Sequence, residues 1–278
     1  MEPVEKQEER KPVTGWQRTV VIGIDRLVYG LSRHWVAVFS VIAGIYVGLP
    51  ILAPVLMNAG ATGPARAIYT VYSPMCHQMA SRSFFLFGEQ PAYPRQLAGT
   101  ELTPIEAYMP GIPEFEGVPT DPEAWPLFLQ PARAFVGNEQ MGYKMAVCER
   151  DIAIYGFVLI GGVLYGLLRR RWKIPALPLW AFLIIGLGPI ALDGFSQLFS
   201  QYGVAAESLS FLNSVFILRE STPFLRTFTG ALFGFSLVWM AYPHIDRSMR
   251  ETEENLGAKL RGAGVIDDDD RRRTADGK

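Results

Sequence analysis

Four long stretches of this 278-residue chain contain no Asp, Glu, Lys or Arg: residues 36–57, 152–168, 174–192 and 227–243. A bilayer core about 30 Å thick needs about 20 helical residues to cross it. Each stretch reaches that length with its flanks, and all are far longer than a globular strand. The pattern predicts an all-α membrane protein with four transmembrane helices in a compact bundle. The alternative, a water-soluble protein with four buried helices, does not explain why charge is missing.

Positive charge predicts the orientation of these spans. The connection between the second and third stretches carries the basic cluster Arg169–Lys173, whereas the connection at 201–223 carries only Arg219. Lys and Arg concentrate in cytoplasmic loops. The chain is therefore predicted to be a multi-pass cell-membrane protein with both termini cytoplasmic and residues 60–150 outside. No cleavable signal peptide is evident, so we expect the first span to be an uncleaved anchor.

The chain divides into five predicted segments. They are a cytoplasmic N-terminal segment with an interfacial helix (1–34), the first span with an outer Cys-His-Gln stretch (35–90), a proline-rich extracytoplasmic loop (91–140), spans two to four (141–245) and a polar cytoplasmic tail (246–278). Residues 1–15 are charged and are expected to be disordered. Residues 19–31 have the pattern of an amphipathic helix on the inner membrane surface, with a cytoplasmic extension of span one as the alternative.

Proline and glycine add local expectations. Residues 91–131 hold nine of the 20 prolines, which opposes regular helix and strand and predicts an irregular outer loop or an inserted subdomain. Pro50 and Pro54 predict a kink or an irregular end in span one, and Pro189 predicts a kink in span three. Spans two and four each contain a small-xxx-small pattern, Gly162–Gly166 and Gly230–Gly234, which predicts close helix packing.

The unusual polar residues all fall at one predicted membrane face. They precede the proline-rich loop, begin span two, end span three, and follow it into span four: Cys76, His77, Gln78, Arg82, Cys148, Arg150, Asp151, Asp193, Gln197, Asn213, Arg219, Arg226 and Thr229. Polar groups at membrane depth are costly and tend to mark function. This one-sided distribution predicts an outward-facing polar pocket at the helix ends.

These motifs also resemble a known family. In order they are Cys76-His77-Gln78 with Arg82-Ser83-Phe84, Cys148-x-Arg150 running into Ile154-Tyr155-Gly156, Leu192-Asp193-Gly194 with Gln197, Asn213 with Leu218-Arg219, and Thr229-Gly230. Over residues 65–243 the pattern resembles the prokaryotic membrane proteins grouped as domain of unknown function 2085. The resemblance implies a small helical membrane domain with these motifs as its signature. It does not indicate which biochemical activity the domain has.

The chain departs from that family in two places. The family usually has Cys-x-x-Cys at the second motif, where this chain has Asp151 in the second position. The gap between the two cysteine motifs is also unusually long, and the proline-rich stretch accounts for it. The first departure weakens a purely thiolate metal site, and the second suggests an outer cap particular to this lineage.

Cys76, His77, Cys148 and Asp151 are the candidate ligands for zinc or another divalent metal. Zinc accepts thiolate, imidazole and carboxylate, normally four at a time. Cys76 and His77 are adjacent, which is not the usual spacing for two ligands of one ion. A Cys76–Cys148 disulfide, permitted outside the cytoplasm, and two free packed thiols are the alternatives. The sequence leaves all three open.

The sequence allows two interpretations of Asp193 and three hypotheses for the function of the protein. Asp193 could carry protons or coordinate a cation, or it could pair with Arg150, Arg219 or Arg226; the pair is favoured. The leading hypothesis for the protein is an outward-facing site that binds a metal ion or small ligand. The others are a membrane enzyme acting on a lipid or envelope substrate, with a bound metal or with His77 and Asp193, and a structural subunit of a larger membrane complex. The expected partners are the lipid bilayer and further copies or subunits, and no feature predicts nucleic-acid binding.

Overall fold

The computed structural model describes residues 15–267, so the expectations for residues 1–14 and for the end of the tail lie outside the described residues. Within them the helices are α1 (Gly15–Asn58), α2 (Thr62–Tyr72), α3 (Trp125–Ala134), α4 (Glu149–Leu168), α5 (Leu179–Ala205) and α6 (Pro223–Gly262). The strands are β1 (Phe85–Leu86), β2 (Gly137–Asn138) and β3 (Gly142–Lys144). In this part of the chain four helices, α1, α4, α5 and α6, are long and apolar enough to cross a membrane. The predicted all-α membrane class is confirmed.

The described chain forms two compact units. The first contains residues up to Val38 together with those from His244 onward. Within it, Lys259 Nζ lies 2.7 Å from an Asp25 carboxylate oxygen, and the indole N–H of Trp35 donates to Asp246 at 3.3 Å. The stretch predicted to be an amphipathic helix is helical, and α1 has a non-helical residue at His34 (φ −113°, ψ 16°). The second unit, Phe39–Pro243, contains the candidate site.

Helix α1 continues through Pro50 and Pro54 to Asn58. A proline has no N–H for the carbonyl four residues earlier, so Pro50 leaves the Tyr46 carbonyl and Pro54 leaves the Pro50 carbonyl without a helical donor. The Tyr72 hydroxyl donates to the Tyr46 carbonyl at 2.9 Å, and the Ala146 N–H donates to the Pro50 carbonyl at 3.2 Å. The two carbonyls that the prolines leave open therefore attach α1 to Tyr72 at the end of α2 and to Ala146, two residues before Cys148.

Helix α5 changes geometry just before Pro189. Residues Leu179–Ala181 are α-helical, Phe182–Leu187 form a π-helical segment, and Gly188–Ala205 are α-helical again. A π-helical turn is one of the usual ways in which a helix takes up an irregularity such as proline. The kink predicted from Pro189 thus corresponds to a widened turn on the N-terminal side of that residue.

Glycines bring α4 and α6 into direct contact. A Cβ added at Gly234 would lie 2.2 Å from the Ile154 carbonyl oxygen, and one at Gly230 would lie 2.7 Å from the Arg150 carbonyl oxygen. No side chain fits between these backbones, so both positions require glycine. The small-xxx-small pattern of span four therefore packs on the first turns of α4, which places the start of α6 beside the Cys148 motif.

Residues 73–148, named here the cap segment, join α2 to α4. They form several single 3₁₀ turns, helix α3 and a three-stranded antiparallel sheet with strand order β1-β3-β2. Buried aromatic residues fill its own apolar core, including Phe85, Tyr93, Phe115 and Phe128. The proline-rich stretch is largely irregular in backbone, but contrary to expectation it includes the start of the regular helix α3, and it has a packed apolar core.

Candidate functional site

A cavity of about 450 Å³ lies where the cap segment meets the start of α4, the C-terminal half of α5 and the start of α6. Its polar residues come mainly from the cap segment, α4 and α6, with two glutamines from α5, and most of its apolar residues come from α5. The polar residues that line it are Cys76, His77, Gln78, Arg82, Cys148, Arg150, Asp151, Gln197, Gln201 and Arg226. Nine of the thirteen predicted site residues therefore share one cavity.

Three of the four candidate metal ligands converge in this cavity. One ligand atom each from Cys76, Cys148 and Asp151 lies within 4.8 Å of the other two. Cys148 is the residue that immediately precedes α4, and Asp151 is in its first turn. The exposed His77 side chain lines the cavity but is not part of this group. The two thiols are free, so the disulfide that was one of the three alternatives is not formed in this structure.

The two cysteines have opposite acidities. A hydrogen bond from the Cys148 thiol lowers the pKa of Cys76, and the same bond, together with burial, raises the pKa of Cys148 well above its ordinary value. The Cys148 N–H also donates to Cys76 Sγ at 3.2 Å, next to the N-terminal end of α4, where the helix dipole favours negative charge. Cys76 is therefore the thiol that is more readily ionised.

Gln78 and Lys144 hold the turn that carries Cys76. Gln78 has a left-handed backbone (φ 52°), and its side-chain amide donates to the Tyr69 and Ala146 carbonyls at 2.8 Å each. The buried Lys144 ammonium donates to the Gln78 carbonyl at 2.6 Å and to the Arg133 carbonyl at 2.8 Å. Burial lowers the pKa of Lys144 to about 7. Sequence reasoning missed Lys144, although it is the only charged residue in 141–148.

Asp193 is a buried carboxylate paired with two arginines. Arg150 Nη2 and Arg219 Nη2 contact its two oxygens at 2.5 and 3.0 Å, and the Ser221 hydroxyl donates to it at 2.8 Å. Its environment matches the ion-pair reading of this residue. The third arginine proposed as a partner, Arg226, pairs elsewhere.

Arg226 connects two further buried carboxylates that the sequence did not single out as site residues. Its guanidinium contacts Glu149 at 3.2 Å and also donates to Glu220. Arg82 contacts Glu220 as well, at 2.8 Å. Burial alone would raise the pKa of Glu220, but the charges of Arg82 and Arg226 outweigh it and lower that pKa. The neighbours Arg150 and Arg219 were the signal that could have drawn attention to Glu149 and Glu220.

The remaining predicted residues support the walls of the cavity. Asp193 and Arg219 are not among its lining residues. Asn213 donates to the Gly203 carbonyl at 2.9 Å, and Thr229 donates to the Leu225 carbonyl of its own helix at 2.8 Å. None of these four residues lines the cavity; Asp193, Arg219 and Asn213 connect α5 to the segment that follows it, and the hydrogen bonds of Thr229 lie within α6.

Comparisons with known proteins show what this chain is similar to. Residues 130–240 match the family model described as "Predicted membrane protein (DUF2085)". The predicted resemblance to DUF2085 is confirmed. The matched range of the DUF2085 model contains Cys148, Asp151 and the arginine–carboxylate pairs around Asp193, whereas the Cys76-His77-Gln78 motif lies outside it.

One curated relative extends the similarity. The uncharacterized protein MJ1492 of Methanocaldococcus jannaschii is 29% identical over 178 residues, which cover 63% of this chain and 67% of the relative. No solved structure matches the chain. Neither the DUF2085 description nor that of the archaeal relative assigns a ligand or a reaction.

Proposed function

We propose that this membrane protein binds a zinc ion through Cys76, Cys148 and Asp151, in a site that opens to the outside of the cell, with both chain termini in the cytoplasm. The observation that carries the proposal is the convergence of the three ligand atoms within 4.8 Å of one another beside an open cavity. The basic cluster Arg169–Lys173 supports this orientation in the membrane. It joins α4 to α5 at the ends of the two helices that are opposite to the site.

The donor set fits zinc. Two ligands bound tetrahedrally with Zn–S bonds of about 2.3 Å are roughly 3.8 Å apart, a separation compatible with the spacing here. Two sulfur donors favour zinc over magnesium or calcium, which prefer oxygen. The hydrogen bond from Cys148, which lowers the pKa of Cys76 below its ordinary value, favours the thiolate that a metal requires.

The geometry favours a site with a free coordination position. Structural zinc sites usually have four protein ligands, whereas reactive sites have three and leave the fourth position to water or a substrate. Here three ligands border a cavity of about 450 Å³, with His77 on its lining. We therefore propose a zinc centre that receives a ligand from the cavity.

Metal analysis of the purified full chain tests this proposal. We expect about one zinc per chain. Cys148→Ser and Asp151→Asn should each weaken zinc binding by more than about 100-fold, because losing a ligand costs more than the 10–100-fold typical of a residue behind the ligands. Asp151→Cys, which restores the family pattern, should retain the zinc. His77→Ala is the matched control and should also retain it.

Two results would contradict the zinc site. One is a wild-type protein that contains no zinc after purification in zinc-supplemented, chelator-free buffer. The other is a Cys148→Ser variant with the same zinc content as the wild type. A wild-type protein with a Cys76–Cys148 disulfide and no zinc after treatment with a mild reductant would favour a redox pair.

Thiol labelling in intact cells tests the orientation. In Cys148→Ser the only cysteine is Cys76, and a membrane-impermeant maleimide should label it from outside. In the wild type, added zinc should slow labelling of Cys76 by about tenfold or more, because a coordinated thiolate is a poor nucleophile. Lys173→Cys in a chain without native cysteines should be labelled only after the membrane is permeabilised. The reverse pattern would overturn the orientation.

A further inference from the structure

The cavity has two unlike walls, and together they identify a class of ligand. We infer that the site binds the phosphate group of a membrane lipid, whose hydrocarbon chains lie along α5. The inference rests on the proposed zinc site for one contact only, a phosphate oxygen at the free coordination position. The apolar and polar walls support the inference independently of the metal.

The apolar wall is continuous with the surface that faces lipid. Ile190, Ala191, Phe195 and Leu198 of α5 line the cavity. Phe195 is 56% and Leu198 is 40% exposed, on a helix long and apolar enough to span the membrane. Exposed apolar side chains on such a helix contact hydrocarbon. A ligand in the cavity can therefore extend past Phe195 and Leu198 into the bilayer without leaving apolar surroundings.

The polar wall presents positive charge to the cavity. Arg82, Arg150 and Arg226 line it. The carboxylates that pair with them, Glu149, Asp193 and Glu220, are buried and are not among the lining residues. Asp151 is the one lining carboxylate, and its oxygen faces the two thiols. The side chains of Arg82 and Arg150 are 24% and 23% exposed, whereas the carboxylates that pair with them are buried, and this arrangement attracts an anion. Guanidinium groups match phosphate oxygens in geometry as well as in charge.

Arg150 has hydrogen-bonding capacity to spare. Its Nη2 donates to Asp193, its buried Nε–H has no partner among the described residues, and its side chain as a whole is 23% exposed. Its Nη1 lies against Gly194, where an added Cβ would come within 3.2 Å. Since Gly194 also lines the cavity, the missing side chain leaves room for this guanidinium at the wall. Arg150 is therefore the residue best placed to meet a phosphate.

The size of the cavity selects the part of the lipid that enters. About 450 Å³ is in the range of sites for small molecules. It accommodates a phosphate with its glycerol unit and the first methylenes, but not two whole acyl chains. The remainder of each chain must leave by the α5 edge. A soluble phosphate would use only the arginine wall and would leave the apolar wall without a role.

Calorimetric titration of the zinc-loaded full chain in a neutral detergent tests the inference. The probes are dihexanoyl phosphatidic acid, which has both phosphate and chains, and glycerol 3-phosphate, which lacks the chains. We expect the lipid to bind at least about tenfold more tightly, because burying a few methylenes is worth that much. Arg150→Gln should weaken binding of both probes by about tenfold or more. Leu198→Gln should weaken binding of the lipid alone.

Two matched controls guard against nonspecific effects. Leu192 is on the same helix and is 75% exposed but does not line the cavity, so Leu192→Gln should leave lipid binding unchanged. Arg66 is exposed on α2 and away from the cavity, so Arg66→Gln should also have no effect. Equal binding of the two probes, or equal effects of Leu198→Gln and Leu192→Gln, would overturn the lipid assignment.

Zinc content, measured on the same samples, separates this inference from the zinc proposal. Zinc-loaded protein that binds neither probe overturns the lipid inference and leaves the zinc site standing. Protein without zinc that still binds the lipid, with the expected dependence on Arg150 and Leu198, removes the metal contact and supports the two-walled lipid site.

Discussion

Replacing Arg226 with Met is expected to lower the free energy of unfolding by about 3–5 kcal/mol, the usual cost of removing one partner from a buried ion pair. Arg226 is 2% exposed, and its partners Glu149 and Glu220 are also buried. Among residues 15–267, Arg226 is the only ion-pair partner of Glu149, whose second carboxylate oxygen has no hydrogen bond. Glu220 would keep Arg82, so the main loss is an uncompensated charge on Glu149.

Unfolding in mixed nonionic and anionic detergent micelles, followed by circular dichroism, measures this change. Adding Glu149→Gln to Arg226→Met should recover part of the loss, about 1–3 kcal/mol, because it removes the unpaired charge and keeps a polar group of the same shape. The control Arg66→Met changes an exposed arginine and should remain within about 0.5 kcal/mol of the wild type. An Arg226→Met variant as stable as that control would show that the network does not stabilise the fold.

The membrane spans could be predicted from sequence because charge is excluded from a bilayer wherever a helix crosses it. Local sequence patterns say less about the prolines of α1. Pro50 and Pro54 predict a kink from local geometry alone, whereas the carbonyls that they leave open are taken by Tyr72 and Ala146. Those donors come from other segments of the chain, and no local pattern shows that they arrive there.

The site shows a similar division. The clustering of polar residues at one face was readable from order and spacing, and nine of the thirteen predicted residues line the cavity. The sequence does not predict which arginine pairs with which carboxylate, since the pairing depends on how the helices are rotated and on the path of the short connection after α5. Asp193 pairs with Arg150 and Arg219, while Arg226 pairs with Glu149 and Glu220. The partners of Asp193 among these three arginines are therefore determined by the rotations of the helices, which the sequence does not give.

Lys144 is the clearest omission, and its replacement by Met is expected to be the second large effect. The ammonium donates to the carbonyls of Gln78, Ala132 and Arg133, so it connects the cysteine turn to the end of α3. An unsatisfied buried carbonyl costs about 1–3 kcal/mol, and part of this is offset because an ammonium no longer has to be buried. We expect Lys144→Met to lower the free energy of unfolding by about 2–4 kcal/mol, with the exposed Lys173→Met unchanged.

The stability difference between the wild type and Lys144→Met should depend on pH, whereas a simple loss of packing would not. Burial lowers the pKa of Lys144 from 10.5 to about 7. Between those values the unfolded chain binds more protons at this residue than the folded chain, so its contribution makes stability rise with pH. Lys144→Met lacks that contribution, and both proteins share the titrating thiols. The difference in stability between wild type and variant should therefore widen from pH 7 towards pH 10, and a constant difference would contradict a buried, titrating lysine.

Zinc content then distinguishes the role of Lys144 from that of the ligands. Lys144 is not one of the three grouped ligand residues, but its bond to the Gln78 carbonyl fixes the turn that begins at Cys76. Lys144→Met should therefore weaken zinc binding by about 10–100-fold, the range for a residue that orients a ligand, which is less than the effect of Cys148→Ser. An undiminished affinity would mean that Cys76 is held in place without this lysine, by the Gln78 side-chain amide and the Cys148 N–H alone.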